Sequence, residues 1–179
     1  MNRALFLDAV KSRAARIAAT SSAARGRGNA GVVEAARAYL RRMDLSDFGT
    51  DDGAVVRAAL NRRTQRLRRK LPTRARHWGL ARKLLNIFLR DCLYTTYLNT
   101  AFQLARAERH LELPLDSITA TELKRAAGRG KLPAWPGVRH VTPKVSERFQ
   151  RSAANLAKEQ GIARVHLDAV YWSVGRDRQ

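Results

Sequence analysis

Apolar residues recur at the spacing of an α-helix along almost the whole chain, and the alternating pattern of a β-strand is nearly absent. Hydrophobic residues make up 45% of the 179 residues, which is enough to bury a core. The clearest stripe falls on one face of a helix and consists of Ala81, Leu84, Leu85, Phe88 and Cys92. We therefore predict an all-α, multi-helix fold in which all 179 residues form a single domain.

Turn and cap residues divide this pattern into separate helices. We expect one helix to be capped by Asp51 or Asp52 and to be stopped by Pro72, because proline disfavours helix in the residue before it. The longest helical pattern spans residues 78–107. Glycines and prolines then make residues 128–142 an irregular loop before the next predicted helix.

Basic residues outnumber acidic ones by 35 to 15, so the formal net charge is +20 at neutral pH. The segment 53–90 carries 12 of the basic residues and no Asp or Glu. Such a block repels itself unless an anion neutralises it, and phosphate does so by charge-assisted hydrogen bonds and counterion release. An arginine-rich solvated surface is the alternative, because arginine is abundant throughout the chain. We favour nucleic-acid binding, with these predicted phosphate contacts: Arg62, Arg66, Arg69, Arg74 and Arg76.

Several classes of protein do not fit this sequence. The single cysteine, Cys92, excludes an intramolecular disulfide, a zinc site built from cysteines and a four-cysteine iron–sulfur cluster. Charges interrupt every apolar run before it reaches the length of a membrane span, so we expect no membrane association. The arginine-rich, amphipathic residues 1–20 have features of an organelle transit peptide, but Asp8 and the arginine content of the whole chain favour an ordinary first helix.

Metal binding is not predicted. His140, His166 and Asp168 are the residue types of a two-histidine, one-carboxylate site, but their spacing supports no specific geometry. Arg164 lies four residues before Asp168 and offers that carboxylate an ion pair instead. We therefore expect no metal and no organic cofactor.

The most informative stretch begins at Gly79 and carries a basic pair, Arg82 and Lys83, at the start of an amphipathic helix. We expect the glycine to lie in a tight turn and the free N–H groups of the helix N-terminus to form a phosphate site with the basic pair. Lys83 falls between the apolar stripe and solvent. Partial desolvation there favours the neutral, nucleophilic form of its amine.

These residues resemble the helix-hairpin-helix DNA glycosylase superfamily, which includes endonuclease III and the 8-oxoguanine glycosylases. The family hairpin has two glycines around an apolar residue, then a basic pair; here Gly79 takes the first glycine position and Ala81 the second, and Asn86 follows Lys83 as in the family. The family's second signature is an aspartate at the head of a helix, and Asp116 matches it. The separation of 33 positions between Lys83 and Asp116 is similar to that of the archaeal-type 8-oxoguanine glycosylase branch, as is, more loosely, the segment 166–172.

The resemblance implies two helical lobes with damaged duplex DNA across the cleft between them. It implies a DNA glycosylase with abasic-site lyase activity, in which Lys83 is the nucleophile and Asp116 stabilises positive charge at the sugar. An oxidised purine is the expected lesion, and the hairpin residues Gly79, Ala81 and Arg82 are expected to contact DNA phosphate. The base must be flipped into a pocket. The candidate residues for that pocket are Trp78, Trp135, Tyr171 and Trp172.

Other interpretations stay open. Asp116 has the position of an ordinary helix cap, which is compatible with a second role, and Lys83 taken alone is typical of a basic surface. Because Ala81 replaces a hairpin glycine, the chain is also consistent with a non-catalytic DNA- or RNA-binding protein, and a third possibility is a module that binds an acidic protein. We expect a monomer located in the cytoplasm and associated with the nucleoid.

Overall fold

The structure, a computed structural model, describes residues 2–20, 23 and 31–176, with the side chains of 172–176 left outside the description. Within these residues it is all-α and contains no β-strand, which confirms the predicted fold class. Short 3-10 segments lie at 46–48, 73–75, 104–110 and 164–166. The α-helices of this part of the chain are α1 (Arg3–Ala18), α2 (Val32–Arg42), α3 (Gly53–Lys70), α4 (Trp78–Tyr94), α5 (Thr96–Phe102), α6 (Ser117–Ala127), α7 (Pro143–Glu159) and α8 (Leu167–Arg176).

Local signals explain where several of these helices begin. Asp52 caps α3 by accepting hydrogen bonds from the backbone N–H groups of Ala54 and Val55 at 2.8 and 3.2 Å. Thr142 caps α7 in the same way through the N–H of Val145, and a proline occupies the first turn of that helix. Both caps satisfy N–H groups that have no partner within the helix.

The predicted helix over residues 78–107 is wrong, because the structure divides it into α4, α5 and a 3-10 segment. The first break follows Thr95, whose hydroxyl donates to the carbonyl of Asp91 at 2.8 Å. The second lies at Gln103, which has a positive φ of 53°. Between them, the side chain of Asn99 donates to the carbonyl of Leu93 at 3.1 Å and accepts from the N–H of Ala105 at 2.8 Å. Side chains therefore replace backbone hydrogen bonds that a continuous helix would make.

Buried apolar residues form two clusters. Helix α4 lies at the centre of the first and packs against α1, α2, α3 and α5. The second cluster is built from α6, α7, α8 and the segment 113–115. Trp135, in the loop 128–142, packs against both. One side of α4 reaches the second cluster through polar side chains, and the candidate site lies on this side.

No helix in the described ranges is both long enough and apolar enough to cross a lipid bilayer.

Candidate active site

Lys83 lies in the second turn of α4 and is 8% exposed. Its ammonium nitrogen is 3.3 Å from Oδ2 of Asp116, which is 6% exposed. It also lies 3.5 Å from the carbonyl oxygen of Ala23, on the segment that follows α1. Two residues far apart in the sequence are thus joined in a buried ion pair, which is stable only when both charges stay satisfied.

Asp116 uses its two carboxylate oxygens for different partners. Oδ1 accepts from the backbone N–H groups of Ile118 and Thr119, both at 3.0 Å, so it caps α6. The Thr119 hydroxyl in turn accepts from the N–H of Asp116 at 2.9 Å, which completes a capping box. The other oxygen, Oδ2, remains for Lys83. The helix cap therefore holds the carboxylate in place for the lysine, and the predicted cap at Asp116 is confirmed.

Arg82 does not face solvent, contrary to its predicted place among the phosphate contacts. It is 6% exposed and pairs with Glu112, with Nε 3.0 Å from Oε2. Its terminal nitrogens donate to Thr64 at 2.8 Å and Asn61 at 2.7 Å on α3. Burial lowers the pKa of Arg82, and the charge of Glu112 opposes that shift. The guanidinium is committed to protein partners, so it joins α3, α4 and the segment before Asp116.

Glu112 is the site residue that the sequence did not single out. Besides Arg82, it accepts from Asn86 Nδ2 at 3.3 Å. Glu112 and Asp116 are four residues apart, and they bind the adjacent residues Arg82 and Lys83. The sequence carries one signal for this arrangement. Two basic residues, Arg82 and Lys83, follow each other along α4, and their acidic partners occur in the same order along the chain.

The predicted tight turn at Gly79 is wrong, because this residue lies inside the first turn of α4. Gly79 is buried, and a Cβ atom there would overlap the carbonyl oxygen of Val138 and the side chain of Val141. Ala81 is fully buried in the first apolar cluster. Neither residue is placed to contact DNA phosphate, so the prediction that Gly79 and Ala81 form part of the DNA interface is wrong. The glycine is needed because the loop before α7 closes onto the start of α4.

The five other predicted phosphate contacts are all exposed. Arg74 and Arg76 lie in the connector between α3 and α4, while the other three, at positions 62, 66 and 69, form one stripe along α3. At 3.6 residues per turn, this stripe is about 140° around α3 from Asn61 and Thr64, which face the site. Arg62 instead pairs with Asp47 at 3.1 Å. The stripe is therefore on the opposite flank of α3 from Lys83.

The aromatic candidates for a base pocket are dispersed. Trp78 is half-buried beside the site, and the guanidinium of Arg82 lies 5.1 Å from its ring centre. Trp135 packs edge-on against Phe149 with ring centres 5.3 Å apart. Tyr171 is buried in the second cluster, and burial raises the pKa of its hydroxyl. The side chain of the fourth candidate, at position 172, lies outside the described residues. Of the three candidates whose side chains are described, only Trp78 adjoins the Lys83 site.

Two of the three residues considered for a metal site, His166 and Asp168, have other partners, whereas His140 is exposed in the loop before α7. His166 lies between Glu108, at 2.6 Å, and the hydroxyl of Tyr94, at 2.9 Å. Asp168 pairs with Arg90 of α4. The predicted ion pair between Arg164 and Asp168 is wrong, because the Arg164 guanidinium instead donates to the carbonyls of residues 110 and 111. In the described part of the chain, no group of three or more His, Cys, Asp or Glu residues is arranged to hold a metal ion.

Comparison of the chain with protein-family models, with curated proteins and with solved structures found no match.

Proposed function

We propose that this protein is a DNA glycosylase with abasic-site lyase activity that acts on a damaged base, with an oxidised purine as the substrate class. The observation that supports the proposal is the buried pair of Lys83 and Asp116, 3.3 Å apart although 33 positions separate them. An amine nucleophile beside a fixed carboxylate is the arrangement that this chemistry needs. The net charge of +20 suits a DNA substrate.

In the proposed reaction, the Lys83 ammonium first gives a proton to solvent water, and its nitrogen separates from Asp116. Its nitrogen then forms a bond to the sugar C1′ while the bond from C1′ to the base breaks, and the base leaves with the electron pair and takes up a proton. Ionised Asp116 stabilises the positive charge that develops at C1′. Loss of a proton from nitrogen and opening of the sugar ring give an imine. Removal of a C2′ proton then expels the 3′ phosphate and cuts the strand.

The imine is the testable intermediate, because borohydride reduces it to a stable amine that links protein and DNA. We expect wild-type protein to give this adduct with duplexes that carry an abasic site or 8-oxoguanine, and Lys83→Gln to give none. Lys124→Gln is the matched control, since Lys124 is an exposed lysine of α6 and its loss removes the same charge. We expect Asp116→Asn to lower the rate of base release on the order of 100-fold.

Two results would refute the proposal. One is the absence of any adduct with either duplex under conditions in which the wild-type protein binds DNA. The other is an adduct whose yield is unchanged in Lys83→Gln, because a different amine would then be the nucleophile.

A second candidate is a nucleic-acid-binding protein without catalysis. The burial of Gly79, Ala81 and Arg82 favours it, since these residues do not form the phosphate grip expected of a hairpin. This candidate predicts salt-dependent binding of undamaged and damaged duplexes with equal affinity and no borohydride adduct. Equal affinity together with a Lys83-dependent adduct would reject it.

A further inference from the structure

A basic groove lies between α1 and α2, away from the residues that hold Lys83. Its volume is about 280 Å³. None of its lining residues is among the partners of Lys83 or Asp116 in the described part of the chain. The groove is lined by Ser12, Ala15, Arg16, Arg37, Ala38 and Arg41.

The groove contains three guanidinium-bearing residues and no acidic one. Arg37 is held in place, because its Nε donates to the carbonyl of Ala19 at 3.0 Å. Arg16 and Arg41 are exposed and make no ion pair with any described residue. Glu34 lies one turn before Arg37 on α2 but does not line the groove. The positive charge of the groove is therefore without a counterion among the side chains that form it.

The walls of the groove are mainly apolar, and the three arginines border it, so their charged ends can meet a phosphate at its rim. A phosphodiester presents two charged oxygens, each of which accepts more than one hydrogen bond, and arginine binds them in a bidentate manner. A carboxylate of a protein partner is satisfied by one such fork. We propose that the arginines bordering this groove bind a backbone phosphate of duplex DNA at its rim, on a surface that does not include Lys83.

A second basic stripe lies on α3, which also packs against α2. Helix α2 packs against both α1 and α3, and the hydroxyl of Tyr39 on α2 donates to the carbonyl of Arg63 on α3 at 3.3 Å. The stripe at positions 62, 66 and 69 lies on the flank of α3 that faces Asp47, away from the Lys83 site. Arg66 is close enough to Tyr39 to oppose the burial that raises its pKa. Basic side chains of α1, α2 and α3 thus lie on adjacent helices, where successive phosphates of one DNA segment can meet them.

The test is the salt dependence of binding to an undamaged duplex, measured by fluorescence anisotropy with the full chain. The variant Arg16→Gln/Arg41→Gln removes two groove charges and leaves Arg37, which has a structural hydrogen bond. Each phosphate contact contributes about 0.9 to the slope of log affinity against log salt, so loss of the one phosphate at the groove should lower the magnitude of the slope by about 0.9. Lys144→Gln/Arg148→Gln on α7 is the control with the same change in charge at two exposed positions, and we expect its slope to stay within about 0.5 of wild type.

Three outcomes would overturn this inference. An unchanged slope in the groove variant shows that no phosphate is neutralised there, and an equal fall in both variants shows an effect of bulk charge only. Competition by polyglutamate as effective as that by an equal charge of duplex DNA shows that the surface fits an acidic protein. Borohydride trapping tests the proposed enzyme activity separately from this surface. We expect the groove variant to retain the adduct at saturating DNA. A wild-type protein that never gives an adduct would refute the proposed enzyme activity but not the phosphate contact at the groove.

Discussion

Asp116 holds different partners through its two carboxylate oxygens, so substitutions can separate their contributions to the free energy of unfolding. Asp116→Asn keeps an oxygen that can cap Ile118 and Thr119 but removes the charge opposite Lys83. Removing one partner from a buried ion pair costs about 3 kcal/mol, because the other charge stays buried without compensation. Asp116→Ala also loses the cap, which adds about 1 kcal/mol. We therefore expect losses of about 3 and about 4 kcal/mol.

Most of the expected fall in the free energy of unfolding arises because the Lys83 charge stays buried without a partner. Removing the Lys83 ammonium together with the Asp116 charge should therefore recover stability. In the double variant Lys83→Met/Asp116→Asn no unpaired charge remains at the site, and we expect a coupling energy of about 2 kcal/mol between the two positions. The measurement is urea unfolding followed by circular dichroism at 222 nm, with all four proteins of the cycle at one pH. Glu147→Gln is the control, since its pair with Arg151 leaves both side chains 70% exposed, and we expect a loss below about 0.5 kcal/mol.

The reasoning is refuted if Asp116→Asn lowers the free energy of unfolding no more than Glu147→Gln does. It is also refuted if the effects of Lys83→Met and Asp116→Asn simply add, because the ammonium and the carboxylate would then not depend on each other.

Three more predictions concern other buried positions. Gly79→Ala should lose about 1–3 kcal/mol in urea unfolding, because the overlap with the Val138 carbonyl outweighs the better helix propensity of alanine; a gain in stability would contradict this. Burial raises the pKa of Asp91 above its ordinary value of 3.8, with Arg90 opposing, so the folded state takes up a proton at higher pH than the unfolded state. The free energy of unfolding of wild type should therefore rise relative to that of Asp91→Asn as the pH falls toward 3.8, and this gain should disappear as the pH rises through the pKa of the folded state. Parallel pH profiles of the two proteins would disprove this. Cys92 is fully buried, and burial raises the pKa of its thiol. A thiol reagent should therefore label the protein only after unfolding in urea. Rapid labelling of the folded chain would refute the burial of Cys92.

Local features of the sequence predicted much of the secondary structure. The cap at Asp52, the end of α3 before Pro72 and the irregular loop over 128–142 depend on residues a few positions apart, and such short-range interactions act before tertiary contacts form. The region 78–107 shows where this approach failed. Its apolar spacing is helical throughout, but side-chain hydrogen bonds around Thr95 and Asn99 interrupt the backbone pattern.

Part of the candidate site could likewise be predicted from the sequence, and part of it could not. Lys83 and Asp116 were recognisable from motifs, and the structure brings them together. The sequence predicts that Arg82 contacts phosphate because it belongs to a basic pair at the start of a helix, although adjacent helical residues point in directions about 100° apart. That rotation turns Arg82 toward α3 and Glu112, and only the packing of these elements shows that its charge is satisfied inside the protein.

The sequence by itself determined that the chain is helical, where several helices start, and that positive charge is in excess, because periodicity, caps and net charge are properties of neighbouring residues and of composition. Only the tertiary structure decided which of these charges are available. The burial of α4 in the first cluster encloses Arg82 and Lys83 with carboxylates, and the packing of α1, α2 and α3 leaves arginines exposed on another surface. Whether a charge is paired inside or faces solvent depends on which distant residue packs against it, and spacing along the chain does not specify that residue.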